Sequence, residues 1–210
     1  MAGRPLLISG VLALTLFTTN ARLLAGPVLS ERSLFITVRN SSRGTAGALK
    51  HALDEVVRMF RGIGISVEWA DHKDGDAEEP DSARVPSLNL TVLDRELREL
   101  RDPTRAVLGA APTSAKEPGH LAYVFYESVE RMSEAYAVDV VLVLAHVIAH
   151  ELGHLLLPAG HHSPSGLMHG HWGARDLRAA VWGMQNFSAE ETNLIRAALA
   201  PSTSSASVRR

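Results

Sequence analysis

The amino-acid sequence predicts an α/β (α+β) domain, and three observations predict it. Short runs rich in β-branched and aromatic residues alternate with one amphipathic helical pattern and then lead into a long apolar one, the order of a sheet covered by helices. Hydrophobic residues make up 46 % of the chain and charged residues 21 %, an ordinary globular balance. The 210 residues suit one domain, or one domain with a processed leader.

Residues 1–21 read as a secretory signal. Arg4 precedes the apolar run Leu6 to Phe17, and a small-residue cleavage pattern stands at Thr19-Asn20-Ala21, with Ala25 as a second candidate. The run falls short of the roughly 20 apolar residues that span a bilayer. The domain is expected over residues 30–200. Ser33-Leu-Phe-Ile-Thr-Val38 reads as a first strand. Thr45 to Arg61 reads as an amphipathic helix, because Ala48, Leu49, Ala52, Val56 and Met59/Phe60 recur at helical spacing and Gly62 and Gly64 stop it. Ile65 to Trp69 is a second strand. Asp71 to Ser82 is an acidic loop whose Asp74-Gly75-Asp76 fits no EF-hand spacing. Leu88 to Leu93 is a third strand, Pro103 to Gly119 a loop rich in Ala, Pro, Gly and Thr, and Leu121 to Tyr126 a fourth strand. Val138 to Leu157 is the longest helical pattern. An irregular stretch follows, then a helix from Ser188 to Leu199, with Ser188 as N-cap and Glu191 completing a capping box. Residues 201–210 form a Ser-rich tail expected to be disordered.

Charge and composition exclude several functions. A net charge of -2 gives no basic footprint for nucleic acid. With no cysteine there is no disulfide, no thiol nucleophile and no Cys-based metal site. Any bound metal must be held by His, Asp or Glu. Of the 10 histidines, 7 fall between His146 and His171.

The centre of that cluster is His150-Glu151-Leu152-Gly153-His154, the H-E-x-x-H pattern. On a helix, residues i and i+4 are roughly 40° apart, so His150 and His154 share one face one turn apart. Two imidazoles placed so can bind one Zn²⁺ at about 2.0–2.1 Å. Glu151, turned by about 100°, stands beside the metal, where its carboxylate reaches a water and serves as general base. A catalytic zinc site needs a third protein ligand. Pro158 and Gly160 end the helix and turn the chain back, and His161 and His162 follow at once.

HExxH, a returning histidine and the following Ser-x-x-Gly-Leu-Met168 resemble the metzincin clan of zinc metallopeptidases, the matrixin-like branch most of all, whose third histidine is often followed by Ser. HELGHLLL with HSPSGLM and the final Phe-x-x-Glu-Glu helix is also similar to a set of small exported bacterial zincin-like proteins. The resemblance implies a zincin-like fold: a small twisted, mostly parallel sheet with a helix crossover, an active-site helix and a C-terminal helical subdomain. It implies that Met168 is the Met-turn residue, an apolar floor beneath the metal. Leu157 stands where the metzincin pattern has Gly, and the third histidine arrives one or two residues late. His162 is the favoured third ligand, since the His-Ser pair and the distance to Met168 fit it, with His161 as the alternate. No tyrosine follows Tyr136 to serve as oxyanion partner.

Other residues receive plainer readings. His146, one turn before His150, reads as a packed or outer histidine; His169 and His171 as loop residues; Trp172 and Trp182 as packing residues. Glu190 and Glu191 lack the pattern of a glutamate-ligand zincin, and Asp176 lacks that of an aspartate-ligand one. The expectation is thus a zinc-dependent metalloendopeptidase with Zn²⁺ on His150, His154 and His162 and Glu151 as base. It would act on a peptide or protein as a secreted or periplasmic monomer, with no stable membrane span after signal cleavage. The expected cleft-edge strand is Leu88 to Leu93 or, in preference, Leu121 to Tyr126. The alternatives are a non-proteolytic zinc-binding module of the same fold and a membrane-anchored partner-binding protein.

Overall fold

The computed structural model describes residues 32–72, 85–98, 107–113 and 119–200. The expected signal, most of the acidic loop and the tail lie outside the described residues. Strand β1 (Arg32–Ser41) buries Leu34, Ile36 and Val38 on one face, while Phe35 and Thr37 on the other stay half-exposed. That period of two is the strand repeat. The chain then enters α1 (Ala46–Gly62), whose N-cap Thr45 accepts a hydrogen bond from the Ala48 backbone at 3.1 Å. Leu49, Ala52, Leu53, Val56 and Phe60 form its buried stripe. It delivers the chain to β2 (Ile65–Asp71), parallel to β1, because parallel neighbours need a crossover.

Strand β3 (Ser87–Leu93) pairs parallel with the other edge of β1. Strand β4 (Gly109–Ala110) and strand β5 (Leu121–Phe125) complete five strands in the order β2-β1-β3-β5-β4, with β4 the antiparallel member. The register aligns Leu34 with Val67, Ile36 with Leu88 and Val92 with Val124, so apolar side chains of neighbouring strands share one face. This is the mixed α/β fold, with a mostly parallel sheet and a helix crossover, that the sequence predicts.

Helix α2 (Tyr126–Tyr136) begins directly where β5 ends and closes on Ala137 in the left-handed region. Helix α3 (Val140–Leu156) starts at Asp139, whose carboxylate accepts from the Val141 backbone at 2.9 Å. It is buried without a break from Val143 to Gly153, between α1 and the sheet on one side and α4 (Ala174–Val181) and α5 (Ala189–Ala198) on the other. A helix that is apolar all round belongs in the middle of a core. It stops at Leu156, two residues before Pro158, as the steric clash of a proline with the preceding residue requires. Helices α4 and α5 form the C-terminal helical part. Ser188 caps α5 and Glu191 closes the expected capping box.

Three elements differ from the sequence reading. The expected loop Pro103 to Gly119 contains β4, which takes the place of β5 at the sheet edge. Tyr126 opens α2 instead of closing β5, and the supposedly irregular stretch before Ser188 contains α4. Among the described residues no helix is long and apolar enough to cross a membrane.

Candidate metal centre and cleft

Burial of α3 fixes what His150 and Glu151 can do. His150 is 9 % exposed, and its Nδ1 donates to the Leu167 carbonyl oxygen at 2.7 Å. That hydrogen bond leaves Nε2 with the lone pair. His154 follows one turn later, and its Nε2 lies 3.1 Å from His150 Nε2. His162 closes the group: the three histidines each offer a ring nitrogen, all within 4.8 Å of one another. Their rings stand 4.7 Å (His150–His154), 4.8 Å (His154–His162) and 5.5 Å (His150–His162) apart.

The donor set suits a metal ion. Four-coordinate Zn²⁺ with bonds of about 2.0–2.1 Å keeps its ligand atoms about 3.3 Å apart, close to the His150–His154 spacing. Burial lowers all three imidazoles from their ordinary pKa, His150 to about 4 and His154 to about 3, and neighbouring histidines add to the effect on His154 and His162. All three are therefore neutral near pH 7, the form that ligates. Three protein nitrogens leave one position of a tetrahedron for solvent or substrate.

Glu151 does not join the three nitrogens. It is 6 % exposed, and burial pushes its carboxyl up to about 8. It lies against β4: a Cβ on Gly109 would meet Glu151 Cγ at 2.6 Å and Oε1 at 2.7 Å. Only a residue without a side chain lets the edge strand pass so close. Both groups open into a cavity of about 550 Å³, lined on its apolar side by Leu108, Met132, Val147 and Trp172 and on its polar side by Glu151 and the histidines.

Met168 is fully buried beneath α3, and a Cβ on Gly153 would stand 2.6 Å from its sulfur. The small residue inside the H-E-x-x-H motif thus admits the methionine directly against the turn that carries His150 and His154. The segment carrying His162 and Met168 is tied to its surroundings at several points. Ser163 N donates to Met168 O at 2.9 Å, Leu167 N to Asn186 O at 2.9 Å, and buried Gln185 Nε2 to Gly166 O at 2.8 Å.

The remaining candidates fall elsewhere. His161 is not with the three nitrogens; its Nε2 is 3.2 Å from Glu191 Oε1. Glu191 is 1 % exposed. Burial alone would raise its pKa, but hydrogen bonds from Ser163, Ser188 and His161 outweigh it and hold the carboxyl below its ordinary value. His146 packs edge-on to Trp172 and donates to Leu142 O at 2.8 Å. His169 pairs with Asp176 at 3.1 Å, and Asp176 also accepts from Gly173 N at the start of α4. His169 and His171, read as loop residues with a place near the site as the alternative, both line the cavity. Trp172 packs against His150 at 5.6 Å, and its Nε1 is the single buried side-chain donor without a partner among the described residues. Trp182, read as a packing residue, is 75 % exposed. Sequence reasoning missed Gly109 and the role of the Leu167 carbonyl, and nothing in the local pattern signals either.

No protein-family model matches the chain, and no curated protein matches it. Among solved structures it is similar to archaemetzincin from Methanopyrus kandleri. The identity is 17 %, the TM-score 0.52, and the match covers 82 % of this chain and 98 % of that one. At that identity the likeness is one of fold alone.

Proposed function

We propose that the chain is a zinc-dependent metalloendopeptidase. The observation that carries this reading is the meeting of three neutral imidazole nitrogens within 4.8 Å, with Glu151 beside them on the same cavity. The archaemetzincin-like fold supports it. His150, His154 and His162 would hold Zn²⁺, which when bound supplies a Lewis acid that polarises a carbonyl and acidifies water. Everything else comes from the chain. The hydrogen bond from His150 to Leu167 O fixes which nitrogen faces the metal. Glu151 takes the proton of the attacking water on a carboxylate oxygen and returns it to the departing amine. Burial holds the Glu151 carboxyl near pKa 8 in the metal-free chain, so it carries a proton near pH 7 there. The ionised form, the one that can accept a proton, would be favoured beside a dication held by the neighbouring histidines. Met168 closes the underside of the centre to solvent.

The substrate would be an extended peptide or protein segment adding to the outer edge of β4, the strand that borders both the cavity and Glu151. The matrixin-like closing turn at Met168 belongs to the same proposal. So does export by residues 1–21 to a secreted or periplasmic location, which N-terminal sequencing of the mature protein checks. A zinc-binding module without activity needs neither a buried carboxyl beside its histidines nor a cavity of about 550 Å³ lined by them; Glu151 and the cavity support the peptidase reading.

The test is hydrolysis of a diverse mixture of unstructured peptides by zinc-loaded protein, beside Glu151→Ala. Cleavage by the first is expected, with a loss of about 10²–10⁴-fold in the variant at unchanged zinc content. Equal rates would remove Glu151 from the mechanism. No cleavage by either, at full zinc occupancy, would favour the binding module.

A further inference from the structure

His162 is the exposed member of the three histidines and stands on a segment without helix or extended ladder. The residues on either side of it are held, and both by one group. His161 Nε2 lies 3.2 Å from Glu191 Oε1, and the Ser163 hydroxyl donates to the same oxygen. The other oxygen, Oε2, accepts from the Ser188 backbone at 2.7 Å, which ties the carboxylate to the first turn of α5. Ser163 is fastened a second time, by its backbone N–H to Met168 O at 2.9 Å. The chain is thus pinned immediately before and immediately after His162, about 30 residues in sequence from its anchor.

We propose that Glu191 is the positioning residue of His162: it clamps His161 and Ser163 so that the ring between them stands ready as the third metal donor. This rests on the reading of His150, His154 and His162 as a zinc site. A ligand on a helix is aimed by the helix itself. A ligand on an irregular segment has two free backbone dihedrals on each side, and its direction is set by whatever holds its neighbours. A buried carboxylate suits that task because hydrogen bonds to an ionised acceptor are about twice as strong as neutral ones. Glu191 never reaches the metal. Its contribution is the coordination geometry, and through it the affinity.

Zinc affinity of the full chain, measured by competition with a chromophoric chelator, tests the clamp together with the visible spectrum of the Co²⁺-substituted protein. Ser163→Ala combined with His161→Ala removes both loop-side donors and leaves the Ser188–Glu191 cap of α5 intact. Zinc binding is expected to weaken roughly 10–100-fold, as when an outer partner of a ligand is lost. The cobalt bands of the folded, metal-saturated variant should shift, a change that a merely structural role would not produce. Ser163→Thr, which keeps the hydroxyl, should return affinity and spectrum toward wild type. Glu191→Gln should reproduce the loss. Wild-type affinity and spectrum in the double variant would overturn the clamp while leaving the metal site standing. A wild-type chain that takes up no stoichiometric zinc, or a His150→Ala chain that binds it as tightly as wild type, would overturn the site and the clamp together.

Discussion

Helix α3 and the segment from Leu157 to Gly173 both supply histidines to the three-nitrogen cluster, and they do so by opposite means. On α3 the donors are placed by local geometry: one helical turn separates His150 from His154, and burial along the helix leaves the turn no freedom. On the following segment the donor is placed by the contacts of its neighbours: Ser163 with Met168 inside the segment, and His161, Ser163 and Leu167 with Glu191 and Asn186 beyond it. A site can thus be half encoded in a short motif and half in the fold around it. Substitutions in the two halves should therefore fail differently.

The largest effect separates binding from folding. His150→Ala and His162→Ala should each weaken zinc binding by more than the roughly 10–100-fold typical of losing an outer partner. In the metal-free state the pair should part. His150→Ala strips the fully buried Leu167 of a hydrogen bond to its carbonyl oxygen and should cost about 1–3 kcal/mol in urea unfolding. His162 is exposed, and its alanine variant should stay within about 0.5 kcal/mol of wild type. Equal losses of stability would mean that the loop ligand is as much part of the core as the helix ligand.

Next in size is Gly109→Ala. The added Cβ would stand 2.6 Å from Glu151 Cγ and must push the carboxylate aside. A displacement near 1 Å costs about a hundredfold in rate. Peptide hydrolysis should fall by that order at unchanged zinc affinity, because the three atoms nearest an added Cβ all belong to Glu151. A parallel fall in affinity would show that β4 supports the helix ligands as well.

How far the sequence could be read follows the same division. The H-E-x-x-H spacing needs only the helical repeat, so His150, His154 and the offset of Glu151 were legible. The His-Ser pair and the distance to Met168 favour His162 over His161. The contact that takes His161 elsewhere, its hydrogen bond to Glu191, was not legible, because the capping-box pattern that marks Glu191 carries no sign of a second partner. Strand β4 was invisible for a related reason. Gly109 and Ala110 have poor strand propensity and are extended only because β5 offers Tyr123 and Val124 to pair with. Helix α2 buries little beyond Tyr126, Ser128 and Val129, and α4 little beyond Leu177 and Ala180, too few apolar positions to show a helical period. Trp172 and Trp182 look alike in sequence. One closes over His150 and the other faces solvent, a distinction made entirely by tertiary packing.

The smallest effect tests whether the N-terminus of α5 holds two separable roles. Ser188 Oγ accepts from Glu191 N at 3.2 Å, while Ser188 N donates to Glu191 Oε2 at 2.7 Å. Ser188→Ala removes the hydroxyl and keeps the backbone donor, so it breaks the cap of the helix without releasing the carboxylate. Loss of a serine cap costs about 1 kcal/mol, which should appear as a lower urea midpoint at unchanged slope. Zinc affinity should not move, since His161 and Ser163 keep their shared acceptor. A loss of affinity matching that of the Ser163 and His161 double variant would mean that the cap and the hold on His162 are one structure, and that the loop ligand is aimed by the whole first turn of α5.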